Sequence, residues 1–243
     1  MKISRIKGIL LLSIIQIISV IGYAAISTMK QLPFTWDTFS FMDFYTRING
    51  GRDFFWTLLI PMLLGFLLLL FPMGNSNRLL IYGSRRRIFG QAFLHVVFFI
   101  IWSTGVVLLA VAVVSVYFGK PFCNWKEYGS YYNVTLGQIN PYPPLFLLGL
   151  QVFLLIIRGV IFGSMMLMAS YKKLLAGLFL CITIGMLDFV QNRVSFFLKL
   201  TSLDASFWNG SMEERVLRLT LSVVFAMIFT FVAYQSIKRR EYV

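Results

Sequence analysis

The chain has 243 residues, of which 58% are hydrophobic and 13% charged, with a mean hydropathy of +0.80 and a formal net charge of +13. Soluble domains average about 45–50% apolar and about 25% charged residues, so the composition does not fit a water-soluble fold. Nor does it fit disorder, because disordered chains are poor in apolar residues.

A hydrocarbon core about 30 Å thick is crossed by roughly 20 apolar helical residues, and this criterion sets the chain's organisation. After Lys2, Arg5 and Lys7 the first apolar run covers 9–26 and includes Gln16. Its basic start resembles a signal peptide, but no convincing small-x-small cleavage site follows, so it reads as an uncleaved first span. The segment behind it is rich in rings (Phe34, Trp36, Phe39, Phe41, Phe44, Tyr45), as expected of an aromatic belt at a membrane interface. The second span covers 54–73 and contains Pro61, which is expected to kink it.

The stretch 75–87 follows, with Asn75, Arg78, Leu79, Leu80, Tyr82, Gly83, Ser84, Arg85, Arg86 and Arg87. It is too polar to span. Leu79, Leu80 and Tyr82 offer an apolar docking face. Gly83 permits a tight turn, and Ser84 is placed to cap the helix entering the third span, 91–118. The arginine triplet suits headgroups or acids on a soluble partner. His95, within the third span, reads as a packing residue. A second aromatic loop carries Phe122, Trp125, Tyr128, Tyr131, Tyr132 and Tyr142.

The fourth span, 145–170, holds Arg158 near its middle. An arginine at a bilayer centre costs about 2.5–3.5 kcal/mol on insertion scales, so it must face protein or water. Asp188, near the end of the fifth span at 174–190, is a candidate partner; snorkelling or a backbone carbonyl would also satisfy the guanidinium. Gly159 and Gly163 form a small-xxx-small pattern that favours close helix packing. Glu213 and Glu214 precede the sixth span, 216–237. The string Glu213-Glu214-Arg215-Val216-Leu217-Arg218 resembles the first motif of CAAX-type intramembrane proteases. The only histidine lies upstream of it, so it reads as a helix start with Ser211 as cap and acids in the first turn.

The charges sort by side. Lys2, Arg5, Lys7, Arg78, Arg85–Arg87, Lys172, Lys173 and Lys238–Arg240 fall on the side of the N-terminus, opposed only by Glu241, whereas the other side is nearly balanced. The positive-inside rule then places both termini in the cytoplasm of an all-α, six-span protein of the cell (plasma) membrane. Basic residues dispersed over helix ends do not form a nucleic-acid-binding patch. Cys123 and Cys181 make no disulfide framework, and two cysteines with one histidine make no four-ligand metal site without carboxylates. No phosphate loop is present.

Six spans, cytoplasmic termini, a Gly-Ser-Arg loop between spans two and three (Gly83-Ser84-Arg85) and a membrane-active segment between spans five and six resemble the permeases of type-2 ATP-binding-cassette exporters. The resemblance covers the whole chain in layout. It implies that 75–87 is a coupling helix seated on a separate cytoplasmic ATPase, which binds the ATP and magnesium. It also implies no enzymatic activity in this chain, and a dimer with a second permease. The short N-terminus resembles the small permeases of antibiotic, bacteriocin or peptide export and immunity. The rival reading is a membrane protein that acts by binding, as an assembly factor, sensor or immunity protein.

Overall fold

The computed structural model of the chain describes residues 2–30, 39–70, 84–137, 139–169, 174–190, 207 and 211–238, with backbone alone at 2–5, 26–30, 51–52, 85, 135–136 and 187–190. The apolar windows all become helix, because in runs this rich in Leu, Ile, Phe and Val only intrahelical bonds can satisfy the backbone once water is excluded. Helix α1 is Lys2–Lys30. The second window is composite: α3 (Gly51–Phe54) passes into a π turn at Phe55–Leu59 and then into α4 (Ile60–Leu70). Helix α5 is Arg85–Tyr117, α7 Pro144–Ala169, α8 Leu174–Val190 and α9 Met212–Lys238. Two short helices lie in the aromatic loops, α2 (Phe41–Ile48) and α6 (Tyr131–Leu136).

Among the described residues all regular structure is helical. Four helices are long and apolar enough to cross a membrane: Ile6–Ala25 within α1, Arg86–Tyr117, Pro144–Ala169 and Met212–Lys238. Phe55–Leu70 and Leu174–Met186 are apolar but shorter. Pro61 sits one residue after a widened turn in which the Ile60 N–H donates to the Phe55 carbonyl, five residues back. Proline has no N–H to give the preceding turn and its ring crowds it; a π turn in front of it provides room.

Helices α5 and α7 form the centre. α1 and α4 pack on α5, α9 lies against α7 and α5, and α8 against α7 and α4. Glycines let the central pair approach. A Cβ on Gly159 would stand 2.7 Å from Ile100 and 2.9 Å from Met62, and one on Gly163 would overlap Val96. The small-xxx-small pattern therefore faces other helices of the same chain. Polar groups are used inwardly. Trp102 donates to the Ser13 hydroxyl at 2.9 Å, and the buried Gln16 amide donates to Ser103, tying α1 to α5. Between their polar ends the outward faces are largely apolar, with Leu94, Phe98 and Leu109 on α5 and Ile14, Ile18 and Ile21 on α1 all exposed. Patches of this extent on a soluble monomer are rare and mark a surface covered by another apolar phase.

The helices share two ends. One carries Lys7, Arg86, Arg87 and Lys238 and is called the basic end; the other carries the loops with α2 and α6.

Candidate functional site: a polar break inside the bundle

The site is built from α2 upward. Ser40 caps this helix in a reciprocal box: its hydroxyl accepts from the Asp43 N–H, and its own N–H donates to the Asp43 carboxylate at 2.9 Å. Such a box satisfies two otherwise orphaned donors. The carboxylate also accepts from the Ser40 hydroxyl at 2.7 Å and from the Trp125 indole N–H at 2.6 Å. Trp125 is 1% exposed and stacks on Tyr132 with centroids 4.4 Å apart. The Phe41 and Met42 N–H groups donate to the Pro121 and Phe122 carbonyls at 2.9 and 3.2 Å. Burial raises the Asp43 carboxyl above the ordinary carboxylate range, and the three hydrogen bonds oppose that shift. The Cys123 thiol beside it is likewise raised, mainly by burial. This closure divides the rings of the two aromatic loops: Phe39, Phe41, Phe44, Tyr45, Trp125 and Tyr132 are buried, Phe122 and Tyr128 are exposed, and Phe34 and Trp36 lie outside the described residues.

So anchored, α2 points into the bundle, where Met42, Tyr45 and Ile48 are fully buried. It ends at Asn49, and Gly50 turns the chain in an extended conformation and opens α3. At this break the Asn49 carbonyl has no place in a helical ladder. Arg158, 1% exposed, donates to it through Nη1 at 2.8 Å and lays its guanidinium over the Phe54 ring at 4.3 Å. A cation is favoured at a helix C-terminus by the helix dipole, and a desolvated cation–ring contact is worth about 2 kcal/mol. Seven residues earlier on α7, the Gln151 amide donates to the Thr46 hydroxyl, which itself donates to the Met42 carbonyl at 2.7 Å. Among the described residues, the Asn49 amide, the Tyr45 hydroxyl and Gln151 Oε1 are buried without a well-aligned hydrogen-bond partner. The result is an interrupted helix held by one arginine and a small set of polar groups inside an apolar bundle. Irregular backbone at membrane depth is tolerated only when buried in protein or lining a cavity.

Of the residues singled out in the sequence, Arg158 lies at this break and donates to the Asn49 carbonyl. Asp188 lies in α8, but its side chain is outside the described residues, so the pairing is too. Gln16 and His95 lie elsewhere: Gln16 on the α1–α5 contact, His95 exposed on α5 with Nδ1 2.6 Å from the Gln91 carbonyl. Asn75, Arg78, Leu79, Leu80, Tyr82 and Gly83 are outside the described residues, as are residues 191–210 apart from Phe207. Ser84 is the N-cap of α5, its hydroxyl accepting from the Arg87 N–H; Arg86 and Arg87 are exposed behind it. At the start of α9, Ser211 and Glu214 form a capping box, with Ser211 N–H to Glu214 Oε2 at 3.1 Å and Glu214 N–H to Ser211 Oγ at 3.2 Å. Both Glu213 and Glu214 are exposed. Among the described residues no three His, Cys, Asp or Glu side chains converge.

Sequence reasoning missed Tyr45, Thr46, Asn49 and Gln151. Two signals were available: Asn49-Gly50-Gly51 is a turn-forming string, and Gln151 shares a helical face with Arg158 at a spacing of two turns. Comparison of the chain with family models, curated proteins and solved structures finds no match to any of them.

Proposed function

We propose that this chain is the membrane-spanning permease subunit of an ATP-binding-cassette exporter. In this reading it crosses the plasma membrane six times with both termini cytoplasmic, and it works as a dimer with a separate ATPase. The observation that carries the transport reading is the polar break. An intramembrane arginine is a functional-site hypothesis by default, and here it clamps the junction of two helix segments, α2 and α3. A junction of two helix segments pinned from a third helix is a place where backbone can rearrange without unfolding the bundle, which alternating access needs. Four long apolar helices are candidate membrane spans, and this reading takes the shorter Phe55–Leu70 and Leu174–Met186 as its two remaining crossings. The chain has no phosphate loop of its own, so a motor must come from a partner. The Ser84-capped, arginine-rich start of α5 is the described part of the surface it would press on. The apolar, aromatic interior suits an amphipathic peptide, antibiotic or lipid-like cargo.

Affinity isolation of the full chain from native membranes, followed by identification of soluble partners, tests this. The exporter reading expects a co-purifying ATPase whose turnover is altered by substitutions at Arg86 and Arg87. Solitary purification, with activity independent of ATP, would refute it. Cysteine accessibility at positions 2 and 242 tests the sidedness in the same preparation.

A further inference from the structure

Four polar atoms at the contact of α2 with α7 are sealed from solvent and, among the described residues, have no well-aligned hydrogen-bond partner: the Tyr45 hydroxyl, both atoms of the Asn49 amide, and Gln151 Oε1. Tyr45 is 0% and Gln151 5% exposed. Asn49 is the helical C-cap of α2, four residues after Tyr45 and three after Thr46, so the three share a face. That face is turned to α7, because Gln151 donates to the Thr46 hydroxyl and Arg158 to the Asn49 carbonyl. The Tyr45 hydroxyl lies against the Asn49 side chain.

The hydrogen-bonding capacity of these groups chooses the occupant. Thr46 gives its one hydroxyl proton to the Met42 carbonyl at 2.7 Å, so toward Gln151 it can only accept. Gln151 must then turn its NH2 to Thr46, which leaves Oε1 as a bare acceptor. The Asn49 amide offers one donor and one acceptor group whichever way it lies, and the Tyr45 hydroxyl serves as either. An occupant must therefore donate to Gln151 and both donate and accept at the Tyr45–Asn49 pair. A halide or a bare metal ion has no proton to give, and an ammonium is opposed by the Arg158 guanidinium on the same face. Water is neutral, donates twice and accepts twice, and buried water characteristically bonds to otherwise unsatisfied polar groups. A dry seam would leave every one of these atoms with its full desolvation penalty.

We propose that the α2–α7 seam is hydrated, with ordered water bound at the Tyr45 hydroxyl, the Asn49 amide and Gln151 Oε1. Water there also gives the junction a way to move: the face parts from α7 by exchanging one water for another, and its polar groups are never left bare. The site rests on the packing of α2 against α7 and not on the exporter reading, so either can fail alone.

The test exposes the full chain in lipid nanodiscs to microsecond X-ray radiolysis in water labelled with heavy oxygen. Hydroxyl radicals formed from bound water add heavy oxygen to the side chain beside it, and mass spectrometry locates the addition. Uptake at Tyr45 is expected to be about fivefold or more above that at Phe66 and Phe99, which are buried as deeply in apolar packing. Asn49→Leu should bring Tyr45 down toward those controls. Tyr45→Phe should lower the melting temperature by about 2–4 °C, since a water-bridged hydroxyl is lost; in a dry seam the same change deletes an unpaired group and raises it. Uptake at Tyr45 no faster than at Phe66, unchanged uptake in Asn49→Leu, or a higher melting temperature for Tyr45→Phe would each overturn the proposal. The labelling of the unmodified chain decides the matter if a variant does not fold.

Discussion

Replacing Arg158 with methionine should loosen the α2–α3 junction and leave the rest of the bundle closed. Methionine keeps most of the buried volume but removes the donor to the Asn49 carbonyl and the cation over Phe54. A hydrogen bond to a charged group contributes about 1.5–3 kcal/mol, and a desolvated cation–ring contact about 2 kcal/mol. Relief from burying an arginine offsets part of this, leaving a net loss of about 2 kcal/mol, or roughly 30-fold in the local opening equilibrium. The amides that report it close the junction: Asn49 to Tyr45 O, Gly50 to Arg47 O, and Asp53 and Phe54 to Gly50 O. Hydrogen exchange on the reconstituted protein should show these about 30-fold faster, with central α5 amides unchanged. Arg158→Lys, which keeps charge but not the planar stack, should fall between. Unchanged protection at residues 49–54 in a folded methionine variant would show that Arg158 does not hold the break. Under the exporter reading the same variant should also lose transport; normal insertion with full transport would remove Arg158 from the mechanism.

Three further outcomes follow from the packing. Gly163→Leu should destabilise by about 1–3 kcal/mol through overpacking against Val96, whereas Gly105→Ala, with nothing within 4 Å of its Cβ, should be neutral or add about 0.5–1 kcal/mol of helix preference; thermal unfolding in one detergent compares them. Trp125→Phe deletes the indole donor to Asp43 and should cost about 1–3 kcal/mol, the penalty for a buried acceptor left short of a partner, seen as a lower melting temperature and faster exchange at Phe41 and Met42. Because burial raises the Asp43 carboxyl, the folded state holds its proton more tightly than the unfolded chain; the associated stability is present below the ordinary carboxylate pKa near 4 and lost as pH rises through the folded value. Asp43→Asn should flatten that part of the stability–pH curve, and an unaltered curve would mean that Asp43 does not titrate there.

Much of the helical layout was legible in order along the chain. Span five was placed at 174–190, where α8 lies, and span four within a residue of α7 at each end. Hydropathy is local and sums over a run, so a window of apolar residues announces its own length. The caps were legible for the same reason: Ser84 and Ser211 lie three residues from the N–H groups they accept. The second window was only partly readable, since the π turn ahead of Pro61 widens the helix where a kink was expected.

What tertiary structure alone decided was the destination of the polar and aromatic side chains. Trp125 and Asp43 are 82 residues apart, and Arg158 and the Asn49 carbonyl 109. No periodicity links them, and a backbone carbonyl has no signature in the sequence at all. The rings of the first two loops had the composition of an interfacial belt; where α2 is pinned to the Pro121–Phe122 backbone, Phe41, Phe44, Tyr45, Trp125 and Tyr132 are buried, while Phe122 and Tyr128 stay exposed. Composition can say that a charge inside an apolar helix must be satisfied. Which group satisfies it depends on how helices distant in the chain lie against one another.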